Sequence, residues 1–312
     1  MNKKRISHIH EYRGRATRWI HLGDANLANL RLLGNRFPIH EHDLRELLPA
    51  INHTKCIVRS SYVFMVLLFP IYDRTNKTVH ETELHVFIDK DTIVTVSHGN
   101  LLPDVVALQD DMSNAARREL ILSQQPADVL LSLLNRIYRS TFPLLVQLSH
   151  DIRDIENSLF AEYDREEMIR KVLTTKFGNA RARSAMQNHR YVLRELNAAI
   201  RNFDHGPLAQ FEHITSQTMD IWNTLESQRE AIETLHETEE TLLSYRMNKI
   251  MKTLTIFTSI LLPLSLITGL VIIDTPILRT FNNWSWGFPI TLGAMGFLTL
   301  FMLIFFRRKR WM

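Results

Sequence analysis

NKIMKTLTIFTSILLPLSLITGLVIID, residues 248–274, decides how this chain folds. After Lys252 it carries no charge until Asp274, an apolar length sufficient for a helix of about 20 residues to cross a bilayer. The span is not uniform around its axis. Steps of three and four connect Asn248, Met251, Thr255, Thr258, Leu262, Ser265, Gly269 and Ile272, and such steps follow one face of a helix. Most of the polar and small residues of the span fall on that face. A row of hydroxyls with a glycine suits a close-packed seam between helices, or the lining of a water-filled path. The spacing alone leaves both open.

A second apolar span, residues 287–306, is followed at once by Arg307, Arg308, Lys309 and Arg310. Arg246, Lys249 and Lys252 flank the first span, and the connecting residues 275–286 carry only Arg279. Positive residues gather on the cytoplasmic side of a membrane. The sequence therefore predicts a two-span hairpin, at about 252–273 and 287–306, with both termini cytoplasmic. Trp284 and Trp286 suit the outer interface and Trp311 the inner one.

The 312 residues allow about two domains, and a net charge of +4 gives no reason to expect nucleic acid. A single cysteine, Cys56, excludes an internal disulfide framework and fits a reducing compartment. The basic N-terminus, MNKKRISHIHEYRGR, has no apolar core behind it and does not read as a signal peptide. Both apolar spans lie at the far end, so most of the chain is expected to be soluble.

Residues 17–100 read as mixed α/β. TRWIHL (17–22), KCIVRSS (55–61), YVFMVLLFPIY (62–72), ELHVFI (83–88) and TIVTVSH (92–98) have strand composition. Short helices are expected around 25–35 and 41–49, with turns at DRTNKT (73–78) and DKD (89–91). No phosphate-binding glycine pattern or nucleophile elbow is present. From about 101 the chain becomes helical. A long pattern from Asp128 to Phe160 contains Pro143, and a second helix is expected over about 164–201. FDHGP (203–207) breaks the pattern, and Pro207 suits the start of a helix that continues through Pro263 to Ile273. At ~1.5 Å per residue that helix is on the order of 100 Å long. The expected division is an α/β domain at 1–120, a helical stalk at 121–250 and a membrane domain at 251–312.

The soluble half of the last long helix extends the stripe. Glu226, Glu230, Glu233, Glu237 and Glu240 are spaced 4, 3, 4 and 3, and Ser244 and Met247 continue toward Met251. Beside them run Ile221, Leu225, Ile232, Leu235 and Leu242. The apolar row suggests packing against a neighbour. The acidic row is either a solvated face or the wall of a shared space.

These residues resemble the CorA family of divalent-cation channels and its zinc-transporting ZntB branch. MKTLTIFTSILLPLSLITGL (251–270) is similar to the family's pore helix, and Trp284, Trp286, Gly287, Phe288 and Pro289 to its W-x-W-G-[YF]-P segment. FFRRKRWM resembles its basic terminus, STFPLLVQLSHDIRDIENSLF its first long helix and TRWIHLGD its opening strand. The resemblance covers nearly the whole chain. It implies an α+β fold: an N-terminal α/β cytoplasmic domain, long stalk helices and two C-terminal transmembrane helices, assembled as a homopentameric funnel in the bacterial inner membrane. Asn248, Met251, Thr255, Thr258, Leu262, Ser265, Gly269 and Ile272 would then face the pore, and the five glutamates an acidic vestibule. Divalent metal ions would be cargo, with zinc slightly ahead of magnesium and with cobalt, nickel and cadmium as further candidates. No resident cofactor, enzyme activity or nucleic-acid partner is implied.

One departure stands out. In register, Ile272, Ile273 and Asp274 occupy the place of the family's G-M-N or G-x-N motif at the outer pore mouth. A β-branched residue replaces the glycine, and a carboxylate replaces the neutral amide, making Asp274 a candidate cation ligand. A non-conducting sensor or scaffold that kept the fold without the filter is the rival expectation. Thr268-Gly269-Leu270 and Trp19-x-His21-Leu22 lean toward the ZntB branch.

Elsewhere, His8-Ile9-His10 and His40-Glu41-His42 are suggestive pairs for a borderline metal. On a helix, ligands at i and i+2 point apart, and neither pair has a third ligand at metal-site spacing. His213 and His236 read as surface residues of the long helix, and Cys56 as a small core residue.

Overall fold

The densest runs of β-branched and aromatic residues form one sheet. The computed structural model describes residues 9–48, 53–73, 75–97, 102–159, 165–201, 208–272 and 286–309. Six strands, β1 (Ile9–Arg13), β2 (Arg18–Leu22), β3 (Lys55–Val58), β4 (Val63–Asp73), β5 (Thr78–Ile88) and β6 (Thr92–Ser97), lie in the order β1-β2-β6-β5-β4-β3. Only β2 and β6 run parallel. The expected turn after β4 is built by Asp73, whose carboxylate accepts from the backbone N–H of Thr75 (2.8 Å) and Asn76 (3.2 Å).

Helices cover both faces. Leu30 and Leu33 of α1 (Leu27–Arg36) pack with Ile20, Leu22, Phe64, Val66, Phe87, Val94 and Val96. The short α2 (Glu41–Arg45) is anchored by Asp43, whose fully buried carboxylate accepts from Arg59 Nε (3.0 Å) and from the Tyr62 hydroxyl (2.5 Å). The opposite face packs Trp19, Val63, Met65, Leu67, Leu84, Val86 and Ile93 against the helical half. That half comprises α3 (Pro103–Ser113), α4 (Ala115–Leu122), α5 (Pro126–Leu159), α6 (Arg165–Met186), α7 (His189–Ile200) and α8 (Leu208–Ile272). Near the sheet edge Gly14 is required: a Cβ there would stand 2.2 Å from Leu122 Cβ, where Ala16 and Thr17 N–H both donate to the Leu122 carbonyl.

Three sequence expectations change: β1 precedes the first expected strand, β5 begins at Thr78 rather than Glu83, and the helix expected over 164–201 is two helices divided at Gln187–Asn188. No proline or glycine marks that division. Its structural companion is His189 at the start of α7, fully buried, with Nδ1 2.8 Å from the Tyr138 hydroxyl of α5. Pro143 does not end α5, and Pro263 does not end α8.

The chain divides into two compact units, Met1–Leu235 and His236–Met312. In the second, the C-terminal part of α8 and α9 (Gly287–Arg308) are helices long and apolar enough to cross a membrane.

Candidate pore helix and acidic row

Within the second unit, α8 has one covered face. Lys252, Ile256, Ser259, Ile260, Pro263, Ile267 and Val271 are buried or half-buried, again in steps of three and four. α9 carries a matching covered stripe: Gly287, Thr291, Met295, Leu298, Met302 and Phe306. The stripe read from the sequence lies on the other side of α8. Asn248, Met251, Thr255, Thr258, Leu262, Ser265 and Gly269 are all exposed, and no atom lies within 4 Å of where a Gly269 Cβ would stand. At 100° per residue the two faces point roughly 130° apart. Met251 is 59% and Leu262 66% exposed, whereas Ile256 is 8%. Ile272 ends α8; its side chain, Ile273 and Asp274 lie outside the described residues.

The two threonine hydroxyls of the stripe point their hydrogens inward. Thr255 Oγ1 donates to the Met251 carbonyl (2.8 Å) and Thr258 Oγ1 to the Leu254 carbonyl (2.8 Å). Such back-bonds to the i−4 carbonyl satisfy the O–H within the helix. The oxygen lone pairs are left facing outward, as acceptors for a cation or for its hydration water.

The acidic row is less uniform than its spacing suggests. In the first unit, Glu226 is held by Arg183 (2.8 Å) and by Arg229 (2.8 Å), and Arg229 also reaches Glu233 at 2.6 Å. Arg183 lies over the Trp222 ring at 5.5 Å. Glu230 is exposed, with no side-chain partner among the described residues. In the second unit Glu237 and Glu240 are exposed, and His236 Nε2 is 3.7 Å from Glu240. Arg229 was legible: it sits at i+3 from Glu226 and i−4 from Glu233, both pairing distances on a helix.

The neighbouring apolar row is spent inside the protomer. Ile221 and Leu225 are completely buried in the chain's own core and Ile232 is buried, so they do not wait for a neighbouring copy. Leu235 and Leu242 are half-buried.

Of the histidine pairs, His40 is the N-cap of α2, its Nδ1 accepting from His42 N–H (3.2 Å), and His42 pairs with Glu46 (3.4 Å). His8 lies outside the described residues, and His10 is on β1. His213 meets Gln217 at 3.0 Å. Burial pushes the half-buried Cys56 thiol up to about 12, which keeps it protonated and inert. The sequence reading missed one close group on α5: ligand atoms of His150, Asp151 and Asp154 lie within 4.8 Å of one another. Its spacing, i, i+1 and i+4, was the available signal. Asp154 is already held by Lys171 (3.0 Å), and Asp151 accepts from Gln147 (3.0 Å).

A six-stranded α/β domain, long helices and two C-terminal helices long and apolar enough to cross a membrane define the class of this chain. The chain belongs to the family of CorA-like Mg2+ transporter proteins, whose model matches residues 14–308. Members of this family are transporters, not enzymes. The cobalt/magnesium transport protein CorA of Thermotoga maritima is 24% identical over 298 residues, covering 94% of this chain and 83% of that protein. The solved CorA magnesium transporter of Methanocaldococcus jannaschii superposes with a TM-score of 0.79 at 22% identity, over 95% of this chain and 92% of that one. The ZntB cytoplasmic domain of Vibrio parahaemolyticus shares the fold at a TM-score of 0.63 and 7% identity, over 77% of this chain and all of that one.

Proposed function

We propose that the chain assembles as a homopentamer in the bacterial inner membrane, both termini cytoplasmic, with five α8 helices lining a path for divalent cations. The observation that carries this reading is the exposed stripe. Asn248, Met251, Thr255, Thr258, Leu262, Ser265 and Gly269 stay open while the opposite face of α8 is covered; Leu254, Phe257 and Leu261 are exposed as well, and the stripe differs from them in carrying the amide, the hydroxyls and the glycine. Thr255 and Thr258 direct lone pairs away from the helix. Met251 and Leu262 form the apolar constrictions, which gate by dewetting. Glu230, Glu237 and Glu240, joined by the paired Glu226 and Glu233, raise the local cation concentration, because converging like charges focus the field. By the resemblance, Ile272 and Ile273 take the place of the family motif at the outer mouth, and Asp274 supplies the carboxylate that draws a cation there.

The cargo is a divalent cation. Magnesium and cobalt are supported by the names of the relatives, and zinc by the Trp19-x-His21-Leu22 and Thr268-Gly269-Leu270 matches and the ZntB-like fold. The test replaces Cys56 with Ser and then introduces single cysteines along α8. Cysteines at 255, 258 and 262 react with a small membrane-impermeant thiol reagent, and those at 256, 260 and 267 do not. Equal reactivity on both faces, or none on the stripe, overturns the pore reading.

A further inference from the structure

His8-Ile9-His10 looked unpromising as a metal pair because ligands two apart on a helix diverge. His10, however, is on a β-strand, where the neighbour that matters is the residue opposite. That residue is His21: β1 and β2 pair antiparallel with His10 directly across from His21. We infer that His10 and His21 form a two-imidazole site for a zinc-class cation on this end of the sheet.

Each histidine is prepared differently. His21 is buried, and its Nδ1 lies 2.8 Å from Thr95 Oγ1; the same hydroxyl oxygen accepts from Trp19 Nε1 at 3.0 Å. A hydrogen bond at one ring nitrogen fixes the ring and leaves the other for a metal, the arrangement that orients histidine ligands generally. The free nitrogen, Nε2, faces Gly23, where even an added Cβ would stand only 3.6 Å away. His10 is exposed and stacks on Tyr12 with ring centres 6.4 Å apart at 12°. It is free to turn toward its partner, so the site has one rigid and one adjustable ligand. Two imidazoles and solvent suit zinc, nickel or copper, whereas magnesium prefers oxygen ligands. The site is independent of the pore.

Fourteen histidines make bulk zinc binding uninformative, so the test reads His10 alone. The full-length protein in detergent is treated with diethylpyrocarbonate with and without zinc chloride, and carbethoxylation of His10 and His42 is followed by peptide mass spectrometry. Zinc at about ten times its dissociation constant should slow modification of His10 about tenfold, and magnesium should not. In His21→Gln, whose amide retains a partner for Thr95, the protection of His10 should vanish while the rate at His42 is unchanged. If His21→Gln unfolds, Thr95→Val offers a second route: it frees the His21 ring without removing a ligand, and protection should weaken rather than vanish. Modification of His10 at the same rate with and without zinc, or protection that survives in His21→Gln, overturns the site.

Discussion

Gln228 on α8 and Asn179 on α6 meet side chain to side chain, Asn179 Nδ2 donating to Gln228 Oε1 at 3.4 Å, with both amides buried. Gln228 Nε2 continues the chain to the Leu145 carbonyl and Ser149 Oγ of α5, both at 2.8 Å. Asn179 also donates to the Leu225 carbonyl at 3.0 Å. Two buried amides thus tie three helices in one register, since a slip of a turn would leave them unpaired.

Gln228→Leu should therefore destabilise the chain by ~1–3 kcal/mol, the cost of stranding buried polar partners. Adding Asn179→Leu should cost less than the sum of the singles, because partners in one network couple. Denaturant midpoints of the four proteins in the cycle check this, and strict additivity would show that the two amides act separately.

His189 predicts a pH dependence. Burial holds it at about 4 in the folded chain, against ~6.5 when unfolded. The unfolded state binds the extra proton between those values, so stability falls as pH drops from ~6.5 toward 4, with a slope of up to ~1.4 kcal/mol per pH unit from this residue. His189→Gln, which keeps a partner for Tyr138, should reduce the slope of thermal stability across that window, leaving the share of His21, which burial also lowers to about 4. A slope unchanged by the substitution would place the titration elsewhere.

Asp43 acts at lower pH. Burial would raise its carboxyl, but hydrogen bonds from Arg59 and Tyr62 outweigh that and hold it below the usual carboxylate range. Its contribution is present above the unfolded value and is lost as pH falls through the depressed one. Asp43→Asn should cost ~1.5–3 kcal/mol at neutral pH, as expected for hydrogen bonds to a charged group. The difference from the parent should shrink below pH ~4, as urea midpoints across pH would show.

The ion pairs divide the acidic row. Glu226 and Glu233 are partly neutralised by Arg183 and Arg229, while Glu230 and Glu237 are bare. Glu230→Gln with Glu237→Gln should lower cation flux more than Glu226→Gln. The loss should be larger at ~0.01 M than at ~0.15 M salt, where the Debye length falls from about 30 to 8 Å. Equal flux at both salt concentrations would mark the row as a solvated outer face.

Much of this was legible because it is periodic. The exposed stripe from Asn248 to Gly269 and the covered one opposite follow the 3.6-residue period, and the strand cores from Val63 to Phe69 and from Leu84 to Ile88 are dense in apolar residues. Three features were hidden. β1 (IHEYR) is short, with two charges and a histidine, and it is held by register with β2 rather than by composition. The first half of β5, Thr78 to Glu83, is polar and continues because it pairs with the long β4. The division between α6 and α7 coincides with the buried Tyr138–His189 contact, which no local signal announces. The apolar row at Ile221 and Leu225 was read correctly as a packing seam, but its partner is the same chain.

Divalent-cation flux into proteoliposomes tests the central claim most directly, using purified protein shown to be pentameric by native mass spectrometry and an entrapped fluorescent indicator. A conducting path predicts entry of magnesium, cobalt or zinc that saturates with concentration and is reduced by bulky substitution at Gly269, a position with open space beside it. An intact pentamer that passes none of the three cations would contradict it and leave the non-conducting sensor or scaffold as the reading of this fold.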